Sequence, residues 1–298
     1  MSDPSFLVLD DRGVLAVAGD DRRNFLQGLV SNDVTRVGPD RAVYAGFLTA
    51  QGRFLHDFFI AEIGDTLYLD CEAARIDDLK RRLSLYRLRA KVTITVASDR
   101  FVVVAFCGSG APAALGLPPE AGAAAAYAGG IAFVDPRQAA MGARAIVPRD
   151  NLVVLSTGRF SAGDRSGYEE LRLLLGLPDG SRDLPVEKAL LLENGFDEFN
   201  GVDWNKGCYV GQEVTARMKY RALVKRQLMP VRIDGPLPPV GSAVMLDDEE
   251  AGEMRSGAGR LGLALLRLDA VDRAAREGKT LAAGGAALMP LRAQRSGG

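Results

Sequence analysis

The chemistry in this chain concentrates between Lys206 and Arg221, in the stretch KGCYVGQEVTARMKYR. A thiol, Cys208, stands between Gly207 and Gly211, and the residues beyond it, with Glu213, Arg217, Lys219 and Arg221, have helical propensity. Glycines admit positive φ and the close approach of another group, while the first turn of a helix offers unpaired N–H groups and partial positive charge. A cysteine just ahead of such a turn, flanked by Lys206 and Arg217, has surroundings that favour thiolate over thiol. Such a thiol can serve as a nucleophile or redox group, as a temporary ligand for iron or a cluster, or as filler for a small apolar gap. The first use needs a neighbouring base, and the only histidine, His56, is distant in sequence. Ligation or redox service is therefore the preferred reading.

The elements that must carry this stretch can be read from periodicity. Residues 6 to 18 read as two short strands around a turn at Asp11, Arg12 and Gly13. A helix follows, with Asp20 as N-cap and Phe25, Leu26, Leu29 and Val30 at helical spacing, ending near Ser31 and Asn32. Tyr44 to Asp70 predicts a three-stranded meander with turns at Gln51-Gly52 and Gly64-Asp65. Residues 72 to 89 predict a helix with Leu79, Leu83 and Tyr86 inward and Arg81, Arg82, Arg87 and Arg89 largely outward. His56, in GRFLHDF, alternates with strand residues and reads as a hydrogen-bonded surface or core histidine. Strands are expected at Lys91 to Val96, Phe101 to Phe106, 131 to 135, 142 to 147 and Leu152 to Leu155. Gly108, Gly110 and Ala113 follow one of them in a dinucleotide-like pattern, with Asp135 farther on. The meander before it argues against the alternating architecture that a dinucleotide fold requires. Residues 109 to 130, rich in Ala, Gly and Pro, read as a loose connection. A polar turn at Gly158 to Ser166, a helix ending at Gly176 and a second helix at Leu184 to Asn194 lead to Trp204 and the motif. After Arg221, short strands split by Gly and Pro turns predict a small antiparallel barrel.

KGCYVGQEVTAR resembles the signature of the YgfZ-type folate-binding proteins, relatives of the glycine-cleavage aminomethyltransferase (T-protein) that are linked to the assembly or repair of iron–sulfur clusters. The likeness runs from end to end, sharpest at 206 to 221 and weaker at 14 to 34 and 252 to 267. It implies an α+β, multidomain aminomethyltransferase-like folate-binding fold, with antiparallel sheets flanked by helices and a C-terminal small β-barrel. The expected division is 1–96 with 160–222 as folate-binding core, 97–159 as a small α/β middle module, and 223–298 as barrel. The implied cofactor is a reduced folate, tetrahydrofolate. Its donor edge suits a carboxylate, Glu193 or Glu213, its flat rings suit aromatic walls, and its anionic tail suits Arg217, Lys219 or Arg221. Tyr168 lies where the resemblance implies a ring beside the folate, and Lys206 and Tyr209 complete the expected binding set. Glu213 has a plainer alternative, stabilising the dipole of its own helix. In that earlier helix Arg172 keeps the relatives' arginine, while Leu175 sits near their acidic position. The leading expectation is a tetrahydrofolate-binding accessory factor in cluster assembly or repair, with Cys208 as functional thiol. The alternative is a folate-dependent aminomethyl or one-carbon transferase using Asp77 or Asp78.

Bulk composition limits the remaining classes. The chain has 298 residues, 47% hydrophobic and 25% charged, enough for two or three domains with full cores. Net charge is −1, with 37 basic against 38 acidic residues, which favours neither nucleic acid nor an acidic membrane as a partner of the whole molecule. The arginine-bearing face of residues 72 to 89 leaves an RNA surface as a third reading, against that of a solvated helix face. Cys71, Cys107 and Cys208 are widely spaced and form no CxxC pair, so no metal site is expected within the chain and a reducing compartment is. The start, MSDPSFLVLDD, shows no signal or transit pattern, no apolar run reaches membrane-span length, and a cytoplasmic location is expected. Expected partners are folate and the proteins of cluster assembly or their client enzymes.

Overall fold

The computed structural model describes residues 4–108, 110–156 and 160–291. It contains strands β1 (Ser5–Val8), β2 (Arg12–Ala18), β3 (Val43–Leu48), β4 (Phe54–Ile63), β5 (Thr66–Glu72), β6 (Thr93–Val96), β7 (Phe101–Cys107), β8 (Ala124–Tyr127), β9 (Gly130–Val134), β10 (Ala143–Pro148) and β11 (Ser161–Ala162). A second run follows, β12 (Arg226–Asp234), β13 (Ala243–Leu246), β14 (Glu249–Ala258), β15 (Leu261–Arg267), β16 (Leu281–Ala283) and β17 (Ala286–Pro290). The helices are α1 (Arg22–Gln27), α2 (Ile76–Leu85), α3 (Ala111–Ala114), α4 (Val153–Ser156), α5 (Arg165–Leu174), α6 (Gly180–Asp183), α7 (Gln212–Tyr220) and α8 (Leu268–Glu277).

Chain contacts divide the molecule into two compact units, Met1–Ala50 with Leu55–Asp164 and Asp197–Gln212, and Gln51–Phe54 with Arg165–Phe196 and Glu213–Gly298. The first unit holds two sheets, ordered β3-β4-β5-β2-β6 and β11-β1-β7-β10-β9-β8. In β4 and β5 nearly every residue is buried, because each face of the strand meets another layer. Phe59 of β4 reaches Phe133 of β9 with ring centroids 6.1 Å apart. The meander appears where alternation and turn residues predict it. β1 and β2, in contrast, do not pair: β1 joins β7 and β11 while β2 joins β5 and β6.

Several local expectations are corrected. α1 stops at Gln27, a turn early, because Val30 bridges to Phe47 and Ser31 turns to other backbone. Its N-cap is Asp21, whose carboxylate accepts from Lys91 N at 2.7 Å instead of capping the helix. Tyr86, expected inward, caps α2 at 40% exposure. The loose connection contains α3 and β8. The pairs of β7 with β1 and β10 are antiparallel, which removes the parallel βαβ unit that a dinucleotide site needs. Leu152 to Leu155 is helical, since Leu155 N donates to Leu152 O and leaves no sheet pairing. Leu184 to Asn194 is no continuous helix: Glu187 N and Phe54 N pair across to Phe54 O and Ala189 O, and only Leu192–Asn194 forms a short 3-10 turn. The turn read at Gly158 to Ser166 lies in its first two residues outside the described ones.

In the second unit the strands close as β12-β15-β14-β13-β16-β17, six antiparallel pairs that leave no open edge. Alternate side chains, including Val231, Ile233, Val244, Leu266 and Leu288, fill the interior, and α8 adds Ala270 and Ala274 to the same core. The architecture is the expected one of antiparallel sheets with helices and a C-terminal barrel.

Candidate functional site

The division between the two units falls inside the motif, after Gln212. Lys206, Cys208 and Tyr209 belong to the first unit, and Tyr168, Glu193, Glu213, Arg217 and Arg221 to the second.

In the first unit the motif loop is stitched to the segment following α1. Ser31 Oγ donates to Gly201 O at 2.5 Å and accepts from Gly46 N at 2.7 Å, and Asn32 Nδ2 donates to Tyr44 O and Asn200 O at 2.7 and 2.6 Å. Ser31 and Asn32 are buried, and these bonds satisfy them there. Val210 N then donates to Gly28 O at 3.1 Å, and Tyr209 N to Gln212 Oε1 at 3.1 Å. Gly207 and Gly211, at φ 88° and 82°, occupy the left-handed region on either side of Cys208. The loop consequently lifts Cys208 into solvent, while Tyr209 beside it is 9% exposed. Of the three thiols, Cys71 is buried and Cys107 half-buried.

Lys206 lies half-buried under this loop. Its Nζ donates to Gln27 O at 2.5 Å and stands 4.9 Å from the centre of the Tyr209 ring. Burial lowers its pKa to about 8, against the pull of Asp33, Asp203 and Cys208. Gln27 is the hub beside it, donating to Asp33 Oδ1 at 2.9 Å and to Lys206 O at 3.3 Å while accepting from Val34 N. Burial raises the Asp33 pKa, but hydrogen bonds from Thr35 and Gln27 and the Lys206 charge outweigh it and hold the carboxyl below its ordinary value. The arrangement is an exposed thiol next to an amine that sheds its proton more readily than an ordinary lysine. Gln27, Ser31, Asn32 and Asp33, which hold this loop and its lysine, lie outside the set expected from the sequence. Their signal was a run of polar groups, QGLVSND, closing an apolar helix.

The second unit places its candidates differently. Tyr168, on α5, is buried, with Arg165 Cζ 5.6 Å from its ring centre. Glu193 is half-buried in its short turn, and burial raises its pKa while Arg226, Arg53 and Arg255 oppose the rise. Glu213, expected among buried carboxylates, is exposed in the first turn of α7, where the buried face is taken by Thr215 and Met218. Its position matches the alternative of a glutamate stabilising its own helix. Arg217, Lys219 and Arg221 are exposed.

His56 is a core residue. Its ring stacks on Phe47, Nε2 lies 3.0 Å from Asp78 Oδ2, and burial, then the Arg75 charge, lowers its pKa to about 4. Asp78 also binds Arg81 and Arg82, bonds that overcome burial and lower it to about 2. Asp77 is exposed. A buried charge network went unforeseen: Asp70 receives Arg12 Nε and Arg144 Nη2, each at 2.7 Å, Asp135 receives Arg137, and all three arginines stand over the Phe59 ring. A lone Arg in ARAIVP and a lone Asp in TLYLDCE, within otherwise apolar strands, are the traces it leaves in sequence. Among the described residues no group of three or more His, Cys, Asp or Glu side chains is placed to hold a metal ion.

Comparison with known proteins sets this geometry among relatives. Residues 10–141 match the GCVT N-terminal domain and residues 225–295 the CAF17 C-terminal beta-barrel domain. The chain is 37% identical over 278 residues to the human iron-sulfur cluster assembly factor IBA57, mitochondrial, covering 87% of this chain and 76% of the relative. It is 34% identical over 288 residues to the mouse protein of that name, covering 88% and 77%. The glycine cleavage system aminomethyltransferase T of Bartonella henselae superposes with a TM-score of 0.76 over 99% of this chain and 86% of that one, at 13% identity, a likeness of fold alone. These relatives correct the expected location: the human, mouse and Neurospora crassa proteins are named mitochondrial, not cytoplasmic. Unpaired thiols report a reducing environment but not the compartment that supplies it. With an aminomethyltransferase fold throughout and this identity over most of both chains, the protein belongs to the IBA57 family.

Proposed function

We propose that this protein assists iron–sulfur cluster assembly through Cys208, and that it binds tetrahydrofolate. The observation that carries the first part is the exposure of Cys208 between two left-handed glycines, in a chain whose relatives are named as cluster assembly factors. One accessible cysteine can ligate iron or a cluster only together with ligands from elsewhere, which fits an assisting factor better than a store. Assembly proteins or client enzymes would supply the rest.

The folate reading is supported by the fold and by the likeness of KGCYVGQE to the YgfZ-type signature. Glu193 has the chemistry for the pterin edge: a half-buried carboxylate that, when ionised, accepts two parallel hydrogen bonds. Tyr168 would supply an aromatic wall, and the exposed Arg217 and Arg221 charge for the tail. Bound there, the folate would contribute its one-carbon chemistry, and these residues would orient it. The transferase alternative gains nothing from Asp78, whose carboxylate is committed to His56, Arg81 and Arg82.

Two measurements test the proposal separately. Cells carrying Cys208→Ser in place of the wild type should lose activity of cluster-dependent enzymes, and normal activity removes the thiol role. Calorimetry with tetrahydrofolate should show saturable binding weakened by Glu193→Gln; no saturable heat removes the folate role and leaves the thiol role standing.

A further inference from the structure

The segment from Lys80 to Lys91, KRRLSLYRLRAK, contains Lys80, Arg81, Arg82, Arg87, Arg89 and Lys91 without one acidic residue, in a chain of net charge −1. On α2, Leu79 and Leu83 are buried, while Arg81 and Leu85, one helical turn apart, face solvent. From Ser84, in the last turn of α2, through Arg89 beyond it, every residue is exposed, Leu85 at 67% and Leu88 at 89%. Leu88 also sits at φ 41°, a left-handed conformation that glycine adopts freely and leucine rarely. The guanidinium groups of Arg87 and Arg89 have no partner among the described residues. An aliphatic tip held out in a strained turn, between unpaired arginines, is unfavourable for the isolated chain twice over.

We infer that this turn docks on an anionic lipid bilayer surface. Leu85 and Leu88 enter the headgroup boundary, and Arg87 and Arg89 meet lipid phosphates. A projecting leucine needs a matching pocket on a rigid protein, whereas a fluid bilayer closes around it. RNA would call for stacking rings, and Tyr86 is instead set edge-on to Phe47, centroids 6.1 Å apart. The contact inferred is with the bilayer surface; no helix among the described residues is long and apolar enough to cross a membrane. The inference does not depend on Cys208 or on folate.

The test is sedimentation of the whole protein with vesicles of phosphatidylcholine containing roughly a third phosphatidylglycerol, against phosphatidylcholine alone. Binding is expected to the anionic vesicles only and to fall steeply between about 0.1 and 0.5 M salt. Leu88→Gly, which relaxes the turn and keeps the fold, should weaken binding roughly tenfold. Arg87→Gln and Arg89→Gln should each weaken it roughly fivefold. Equal sedimentation with both vesicle types, or unchanged binding by Leu88→Gly, overturns the inference. So does single-stranded RNA binding that exceeds vesicle binding and ignores Leu88→Gly, which would make the surface a nucleic-acid site.

Discussion

Replacing Arg172 with alanine probes what holds the second unit in shape. The side chain is 1% exposed and fully engaged: Nη1 donates to Asp183 Oδ2 and Leu177 O, each at 2.7 Å, Nη2 to Glu169 at 2.5 Å and Ser256 Oγ at 3.0 Å. It thereby ties α5, which carries Tyr168, to α6 and to barrel strand β14. In Arg172→Ala, Glu169 keeps Arg182 as a partner, but Asp183, 0% exposed, is left a buried anion without its cation. Breaking a buried pair from one side costs about 3–5 kcal/mol. With an m-value of about 2–3 kcal/mol/M, the urea midpoint of this unit should fall by roughly 1–2 M. The loss should also depend on pH. Burial already raises the Asp183 pKa, with Arg172 opposing, so removing Arg172 raises it further. A carboxyl with a raised folded pKa makes the folded state bind more protons than the unfolded one from about pH 4 upward, so stability falls as pH rises through that window. The difference from wild type should therefore be smaller at pH 5 than at pH 7.5. A midpoint shift no larger than that of Arg276→Ala on the exposed face of α8, or a loss independent of pH, refutes this account.

Two further outcomes follow from the first unit. Burial holds the folded pKa of His56 near 4, well below its unfolded value near 6.5, so the unfolded state binds more protons between these values. Stability should fall as pH drops through that window, by about 2 kcal/mol from this residue at pH 5; denaturation of His56→Phe should lose this slope, and an unchanged slope would place its origin elsewhere. Thiol alkylation of the native protein should proceed first at Cys208 and vanish from the fast phase in Cys208→Ser. Cys71, buried with its pKa pushed up to about 12, should react only on unfolding, and peptide mapping that finds it in the fast phase would contradict its burial.

The elements legible in the sequence are those whose cause is local. β3, β4 and β5 follow from alternation and from turn residues at Gln51-Gly52 and Gly64-Asp65, and α5 from its apolar spacing and Gly176. Where the chain departs from expectation, a distant partner intervenes. α1 stops short because Ser31 bonds to Gly201, 170 residues away, and Glu187 bonds to Phe54 rather than continuing a helix. The same holds for charge. Nothing in the residues around Asp70 or Arg144 marks them as partners, 74 positions apart, and only the packing of two sheets brings them together at 2.7 Å in the interior.

The order of residues alone determined that a thiol would stand between two glycines ahead of a helix, since left-handed turns and helix starts depend on residue types a few positions apart. It likewise determined the closing run of short strands. Tertiary structure decided which candidates share a unit, that Glu213 is exposed, and that Lys206 sits half-buried on Gln27 with a lowered pKa. Those properties depend on desolvation and on partners contributed from elsewhere in the chain, which no local pattern encodes.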